Sequence, residues 1–212
     1  MKDLAMPEYF DKLAIAVEFF SFALRFSRIE GWLSETEGYA LLLAAAHGPG
    51  NGEIVEIGSW MGRSTCWLAA GSQLKCREKV HAIDPFDGGP MLRHLAVIQE
   101  QGTTYHSFVD NLISVGLFDY VEPIVATSQQ AAQTWNKPIR LLFIDGDHSY
   151  EAVKTDFEQW SRFLIADALI AFDDVTGQYE GAKRYYDELL QSNQRYREVA
   201  HVGKVKFIQR LK

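Results

Sequence analysis

Val55-Glu56-Ile57-Gly58-Ser59-Trp60-Met61-Gly62-Arg63-Ser64-Thr65 runs from an apolar strand through a glycine turn into a helical pattern, and its reading decides the fold. Glycines at 58 and 62 let the backbone approach a ligand closely, and the start of the following helix offers unpaired N–H groups. The dinucleotide fingerprint G-x-G-x-x-G is not met, because Ser59 and Trp60 follow Gly58 and the next glycine is Gly62. A pyrophosphate reader is therefore disfavoured. The next apolar run, residues 80–84, ends in Asp84, placed to accept hydrogen bonds from vicinal ribose hydroxyls. Turn and acid together favour a ligand that carries a nucleoside.

Outward from this segment, strand patterns at 53–57, 80–84, 121–126, 139–144 and 168–172 alternate with helical patterns near 63–74, 105–115, 128–135, 150–164 and 180–191. That rhythm predicts a parallel sheet covered on both faces. Residues 196–202, then Gly203, then 204–209 read as two tightly joined strands, a hairpin at the end of the sheet. Upstream, 9–28 predicts a helix: Glu18, Ser21, Arg25 and Arg28 recur at helical spacing and leave Phe10, Phe19, Phe20, Phe22 and Phe26 on a broad apolar face. That face serves packing onto the helical layer, a homodimer interface or a substrate cap. Ser34 with Glu37 three residues on is a capping-box signature ahead of a second helix around 39–46, stopped by Gly48-Pro49-Gly50-Asn51-Gly52. The fold class expected is α/β: a Rossmann-like doubly wound sheet, mostly parallel with a C-terminal antiparallel hairpin, preceded by N-terminal helices.

Ligands of such sheets bind outside the carboxyl ends of the strands. There the chain places a second constellation. Strand 139–144 runs into Asp145-Gly146-Asp147-His148-Ser149-Tyr150, and strand 168–172 runs into Asp173-Asp174. Four carboxylates would meet at one edge of the cleft, and such crowding, uncompensated, raises pKa values and destabilises the fold. A hard divalent cation removes the problem, since carboxylate oxygens and water suit Mg²⁺. Helix capping by Asp147 or Ser149, with Asp173 and Asp174 facing water, explains one of these residues but not all four.

The segment around Gly58, Ile83-Asp84 and the element order resemble the class I S-adenosylmethionine-dependent methyltransferases, over about residues 53–210. The resemblance implies that Glu56, Gly58, Ser59, Trp60, Gly62 and Ser64 form the first contact region for S-adenosyl-L-methionine and that Asp84 holds its ribose. It assigns residues 1–50 to an N-terminal helical cap within the same domain, and 51–212 to the methyltransferase domain. Ser128-Gln129 is similar to the adenine-proximal turn of catechol-type O-methyltransferases; a helix N-cap at Ser128 is the alternative. The acidic cluster looks like that of the metal-dependent O-methyltransferases acting on sugars or catechols. By that likeness Asp145, which also edges the cofactor, binds Mg²⁺ with Asp173 and Asp174. In the sugar branch an Asp at the place of Asp147 is the proposed base. In the catechol branch a Lys stands where this chain has His148, so Asp147 and His148 both remain as the catalytic proton acceptor. The resemblance implies Mg²⁺-assisted O-methylation of a small molecule. A metal-independent O- or N-methyltransferase, a catalytically inactive nucleoside-binding module and, third, a dehydrogenase are the alternatives.

Composition sets the outer bounds. The 212 residues, 47% hydrophobic and 23% charged, suit one soluble domain. Twenty-eight acids against 21 bases give a formal charge of −7, which argues against nucleic acid as partner. Cys66 and Cys76 suggest no disulfide framework. No run is long enough to span a membrane, and Asp3, Glu8 and Asp11 spoil a signal-peptide n-region, so a cytoplasmic location is expected. His47, His81, His94, His106 and His201 lack ligand spacing, and neither an H-x-D/E motif nor a G-x-S-x-G elbow is present. Residues 86–102 read as a substrate lid or a surface loop.

Overall fold

In β1 (Glu53–Ile57) the adjacent residues Ile54 and Val55 are both apolar because both faces of the strand are covered: Ile54 joins one hydrophobic core, Val55 and Ile57 the other. The computed structural model describes residues 8–88, 98, 102–177 and 179–211. Parallel to β1 run β2 (Val80–Asp84), β3 (Val121–Val125), β4 (Ile139–Ile144) and β5 (Leu164–Phe172). The hairpin of β6 (Tyr196–Val202) and β7 (Val205–Arg210) adds antiparallel to β5, giving the order β3-β2-β1-β4-β5-β7-β6. The expected fold class is borne out.

Helices α1 (Glu8–Phe26), α2 (Glu35–His47), α3 (Arg63–Leu74) and α4 (Tyr105–Ser114) contribute to one core. Helices α5 (Ser128–Thr134), α6 (Tyr150–Trp160) and α7 (Glu180–Ser192) contribute to the other. The aromatic stripe of α1 packs in part as expected: Phe22 and Phe26 meet Trp67 of α3 at ring distances of 6.4 and 5.0 Å. Leu13, Ile15, Val17, Phe20 and Leu24 of the same helix are exposed. The capping box of α2 is present in full, with Ser34 N donating to Glu37 Oε2 at 2.7 Å and Glu37 N to Ser34 Oγ at 3.4 Å.

Strand register fixes the site. Ile57 pairs with Ile83 and Ile144, and Ile144 with Phe172, so the parallel strands end together. Backbone bonds continue one residue further, from Gly58 N to Ile83 O (2.9 Å), Asp145 N to Ile57 O (2.9 Å) and Asp173 N to Ile144 O (3.0 Å). The chemistry-bearing residues therefore leave the sheet at one edge.

Several boundaries differ from expectation. Strand β5 starts at Leu164, not 168, because Leu164 pairs with Ile139 across an irregularity in the ladder. That pairing ends α6 at Trp160, with a 3₁₀ turn, Ser161–Phe163, in place of its expected last turn. Lys204 falls in the hairpin turn, outside β7. Thr127 rather than Ser128 caps α5: its hydroxyl accepts from Gln130 N at 3.2 Å. Of the suggested lid, 89–97 and 99–101, including His94, lie outside the described residues. Among the described residues no helix is long and apolar enough to cross a membrane, and both cysteines are free.

Candidate active site

Gly58 adopts φ 86, and a Cβ there would run into the backbone of Asp145 and Gly146, so only glycine lets β1 and β4 approach at their carboxyl ends. The turn is held by Asp84. Its Oδ2 accepts from Ser59 N and Trp60 N, both at 2.9 Å, and its Oδ1 from Phe86 N at 2.6 Å. Burial raises the Asp84 carboxyl, against the three backbone N–H groups, which lower it. The residue expected to hold the ribose thus also latches the turn. Glu56 lies beneath, fully buried, with Oε2 accepting from Ser59 Oγ at 2.8 Å and Thr65 Oγ1 at 2.5 Å. Burial pushes its carboxyl from 4.5 up to about 7, against the lowering effect of the Ser64, Thr65 and Ser59 hydroxyls.

A cavity of about 620 Å³ opens above the turn. Gly58, Ser59, Trp60, Ser64, Asp84, Ser128 and Gln129 line one part of it, and Asp145, Asp147, His148, Asp173 and Asp174 another. Glu56 and Gly62 do not line it: Glu56 supports the turn from below, and Gly62 sits at the N-cap of α3. Ser128 is placed by α6, whose Trp160 Nε1 donates to Ser128 Oγ at 2.9 Å. Residues 30–33, between α1 and α2, form a further wall. Arg63 ties that segment down, donating to Leu33 O and Ile29 O at 2.8 Å and to Glu35 Oε1 at 2.9 Å. Trp32 then meets Trp60 edge to face at 4.9 Å.

The acidic end is not a cluster of acids alone. Ligand atoms of Asp145, His148 and Asp173 lie within 4.8 Å of one another. Asp174 pairs instead with His148 (Oδ2 to Nε2, 3.4 Å) and with Lys204 (Oδ1 to Nζ, 3.2 Å). Lys204 Nζ also donates to Asp173 Oδ2 at 2.5 Å. Burial, then the neighbouring Asp173, holds the Asp145 carboxyl well above the usual carboxylate range. Asp174 is raised for the same two reasons. Burial lowers the His148 imidazole more than Asp174 and Asp173 raise it, which favours the neutral ring. Burial opposes the charge on Lys204, but Asp173, Asp145 and Asp174 keep it above the ordinary lysine value. Asp147 is exposed, its Oδ1 accepting from Ser149 N at 2.7 Å, while Ser149 caps α6 by accepting from Ala152 N.

Among the residues of this cavity that sequence reasoning did not single out, Lys204, Arg63 and Asp156 matter most to the site. Lys204 and Arg63 arrive through long-range packing and leave no local signal. Asp156 does leave one: with Val153, Phe157 and Trp160 it occupies the buried i, i+3, i+4, i+7 face of α6, an acid on an apolar stripe. It lines the cavity, its Oδ1 has no hydrogen-bond partner, and burial pushes its carboxyl up to about 6.

Residues 55–175, more than half of the chain, match the family model described as a methyltransferase domain. The chain belongs to the methyltransferase-domain family. The expected enzyme class, an S-adenosylmethionine-dependent methyltransferase, is thereby borne out. The fold of this methyltransferase is shared with solved O-methyltransferases. One from Bacillus cereus, in complex with SAH, is 22% identical with a TM-score of 0.59, over 99% of this chain and 94% of that one. TomG from Streptomyces achromogenes, involved in tomaymycin synthesis and in complex with SAM, is 17% identical with a TM-score of 0.61, over 92% and 89%. The O-methyltransferase NovP is 16% identical with a TM-score of 0.63, over 82% and 78%. At these identities the likeness is one of fold.

Proposed function

We propose that this methyltransferase moves the methyl group of S-adenosyl-L-methionine to a hydroxyl of a small-molecule acceptor, assisted by Mg²⁺. The observation that carries the reading is that one cavity joins the glycine cradle to the Asp145–His148–Asp173 group. The residues fit both partners. Gly58 lines the cavity where a Cβ would have no room against the backbone of Asp145 and Gly146, and a cavity of about 620 Å³ lies in the range of small-molecule sites. At the other end Asp173 Oδ1 is buried with no hydrogen-bond donor, a free lone pair beside a carboxylate and an imidazole. The O-methyltransferases that share the fold support a hydroxyl acceptor.

When bound, S-adenosylmethionine supplies a sulfonium methyl group, and Mg²⁺ lowers the pKa of a hydroxyl and orients it. The acceptor oxygen forms the new C–O bond as the C–S bond breaks, its electron pair remaining on sulfur. His148 belongs to the ligand group, which leaves Asp147 to take the hydroxyl proton. The turn latched by Asp84 orients the methionine part, and Trp32, Trp60 and the segment held by Arg63 exclude water from it.

The test is calorimetry with S-adenosylhomocysteine and methyl transfer to a panel of sugars and catechols, with and without EDTA. Binding, with turnover abolished by EDTA and restored by Mg²⁺, is the expected result; failure to bind S-adenosylhomocysteine would overturn the reading. A metal-independent transfer is the second reading. It is favoured by Lys204, whose ammonium already pairs with both Asp173 and Asp174, and undiminished turnover in EDTA would select it. A homodimer through α1 belongs to the same proposal: Leu13, Val17, Phe20 and Leu24 stand exposed at four-three-four spacing. Light scattering on Leu24→Glu, expected to be monomeric, tests it against the wild type.

A further inference from the structure

The acidic cluster contains a cation that metal-assisted methyl transfer leaves unused. Lys204 stands at the tip of the β6–β7 hairpin, next to Gly203 at φ 58. Its backbone N–H donates to Glu37 Oε1 at 2.7 Å, and Glu37 Oε2 accepts from Ser34 N at 2.7 Å. One carboxylate therefore ties the hairpin tip to the start of α2. From that anchor the Lys204 ammonium reaches Asp173 Oδ2 at 2.5 Å and Asp174 Oδ1 at 3.2 Å. The Lys204 side chain is 23% exposed and that of Asp173 only 1%. Asp173 is at the same time one of the three residues whose ligand atoms converge. A divalent cation would have to share this carboxylate with the ammonium, and like charges a few ångströms apart in a part-buried site repel strongly. A solvated surface lysine could swing clear at little cost; one with a tethered backbone and a largely covered stem cannot.

We propose that Lys204 is a built-in counter-ion of the acidic cluster, competing with the divalent cation for Asp173. It holds the cluster together without metal and keeps divalent affinity low. This rests on the metal-assisted reading of the same cavity. The test measures Mn²⁺ binding, by the paramagnetic resonance signal of the free ion, to the full chain as wild type, Lys204→Met, Lys204→Arg and the double variant Lys204→Met/Asp174→Asn. The double variant removes one charge of each sign and spares Asp145, His148 and Asp173, which covers failure of Lys204→Met alone to fold. Mn²⁺ affinity is expected to rise at least about tenfold, or about 1.4 kcal/mol, in both Met variants. Lys204→Arg, which keeps the charge, is expected to stay within about threefold of the wild type. Equal affinity across all four proteins overturns the proposal. Absence of Mn²⁺ binding in every one overturns it together with the metal site. S-adenosylhomocysteine binding on the same preparations shows separately whether the methyl-transfer reading stands.

Discussion

Replacing Glu56 by Gln should change the pH dependence of folding far more than it changes ligand binding. The carboxyl is fully buried, and burial raises it from 4.5 to about 7 despite the hydroxyls of Ser64, Thr65 and Ser59. A group raised in the folded state binds more protons there than in the unfolded chain throughout that interval. Stability therefore falls as pH rises from 4.5 to about 7. At about 1.4 kcal/mol per pH unit the whole interval is worth about 3.4 kcal/mol, of which about 0.8 is already lost at pH 5. The wild type should thus lose about 2.5 kcal/mol relative to Glu56→Gln between pH 5 and pH 8.5. The raised carboxyls of Asp145, Asp156 and Asp174 slope the same way in both proteins, so the difference between the two isolates Glu56. Guanidinium unfolding of both proteins at the two pH values measures it. A difference that stays constant within about 0.5 kcal/mol would refute the argument that burial outweighs three hydroxyl donors. Because Glu56 does not line the cavity, S-adenosylhomocysteine affinity should change by less than about threefold, against the tenfold or greater loss expected for a residue in contact.

Asp84→Ala leaves the N–H groups of Ser59, Trp60 and Phe86 without their acceptor and should cost about 2–4 kcal/mol of stability. Asp84→Asn, which keeps one acceptor oxygen, should cost less, and calorimetry should show weaker S-adenosylhomocysteine binding in both. Asp147→Asn is expected to lower kcat by about 10²- to 10⁴-fold while S-adenosylhomocysteine affinity stays within about threefold, separating proton transfer from binding. Gly203→Ala forces a Cβ against the Glu37 carboxylate at φ 58; chemical denaturation should show a loss of about 2 kcal/mol. Trp160→Phe removes the donor to Ser128 Oγ and should cost about 1 kcal/mol in the same assay.

Much of the architecture was legible because it follows from local rules. Apolar runs that end in glycine or acid mark where parallel strands stop, and register then aligns Gly58, Asp145 and Asp173 without further information. The Ser34–Glu37 box announces α2 from four residues. The misplaced boundaries come from competition between elements. Residues 161–164 suit a helix by pattern, but Leu164 is taken into the sheet by Ile139, and tertiary pairing overrides the periodicity. In the site, residue types were legible and partners were not. Asp84 at a strand end suggests a ribose acceptor, whereas its engagement with Ser59 and Trp60 depends on two turns meeting from different strands. Lys204, 31 positions from Asp173 and the first residue of a run that reads as strand, gives no sign along the chain that its ammonium enters the cleft.

That omission changes what a crowd of carboxylates implies. Taken along the chain, Asp145, Asp147, Asp173 and Asp174 look like negative charge in need of a metal. In the fold, Asp147 turns to solvent and Lys204 answers Asp173 and Asp174. Burial and Asp173 favour the neutral form of Asp145, which removes another charge. Ammonium, proton and divalent cation are three solutions to the same electrostatic problem, so acidity alone does not choose among them. Geometry narrows the choice. An ammonium satisfies Asp173 through Oδ2, a proton on Asp145 would serve the neighbouring Asp173, and His148 already faces Asp174 at 3.4 Å. What would single out a divalent cation is simultaneous use of Asp145, His148 and Asp173, whose ligand atoms lie within 4.8 Å of one another, rather than the count of acids.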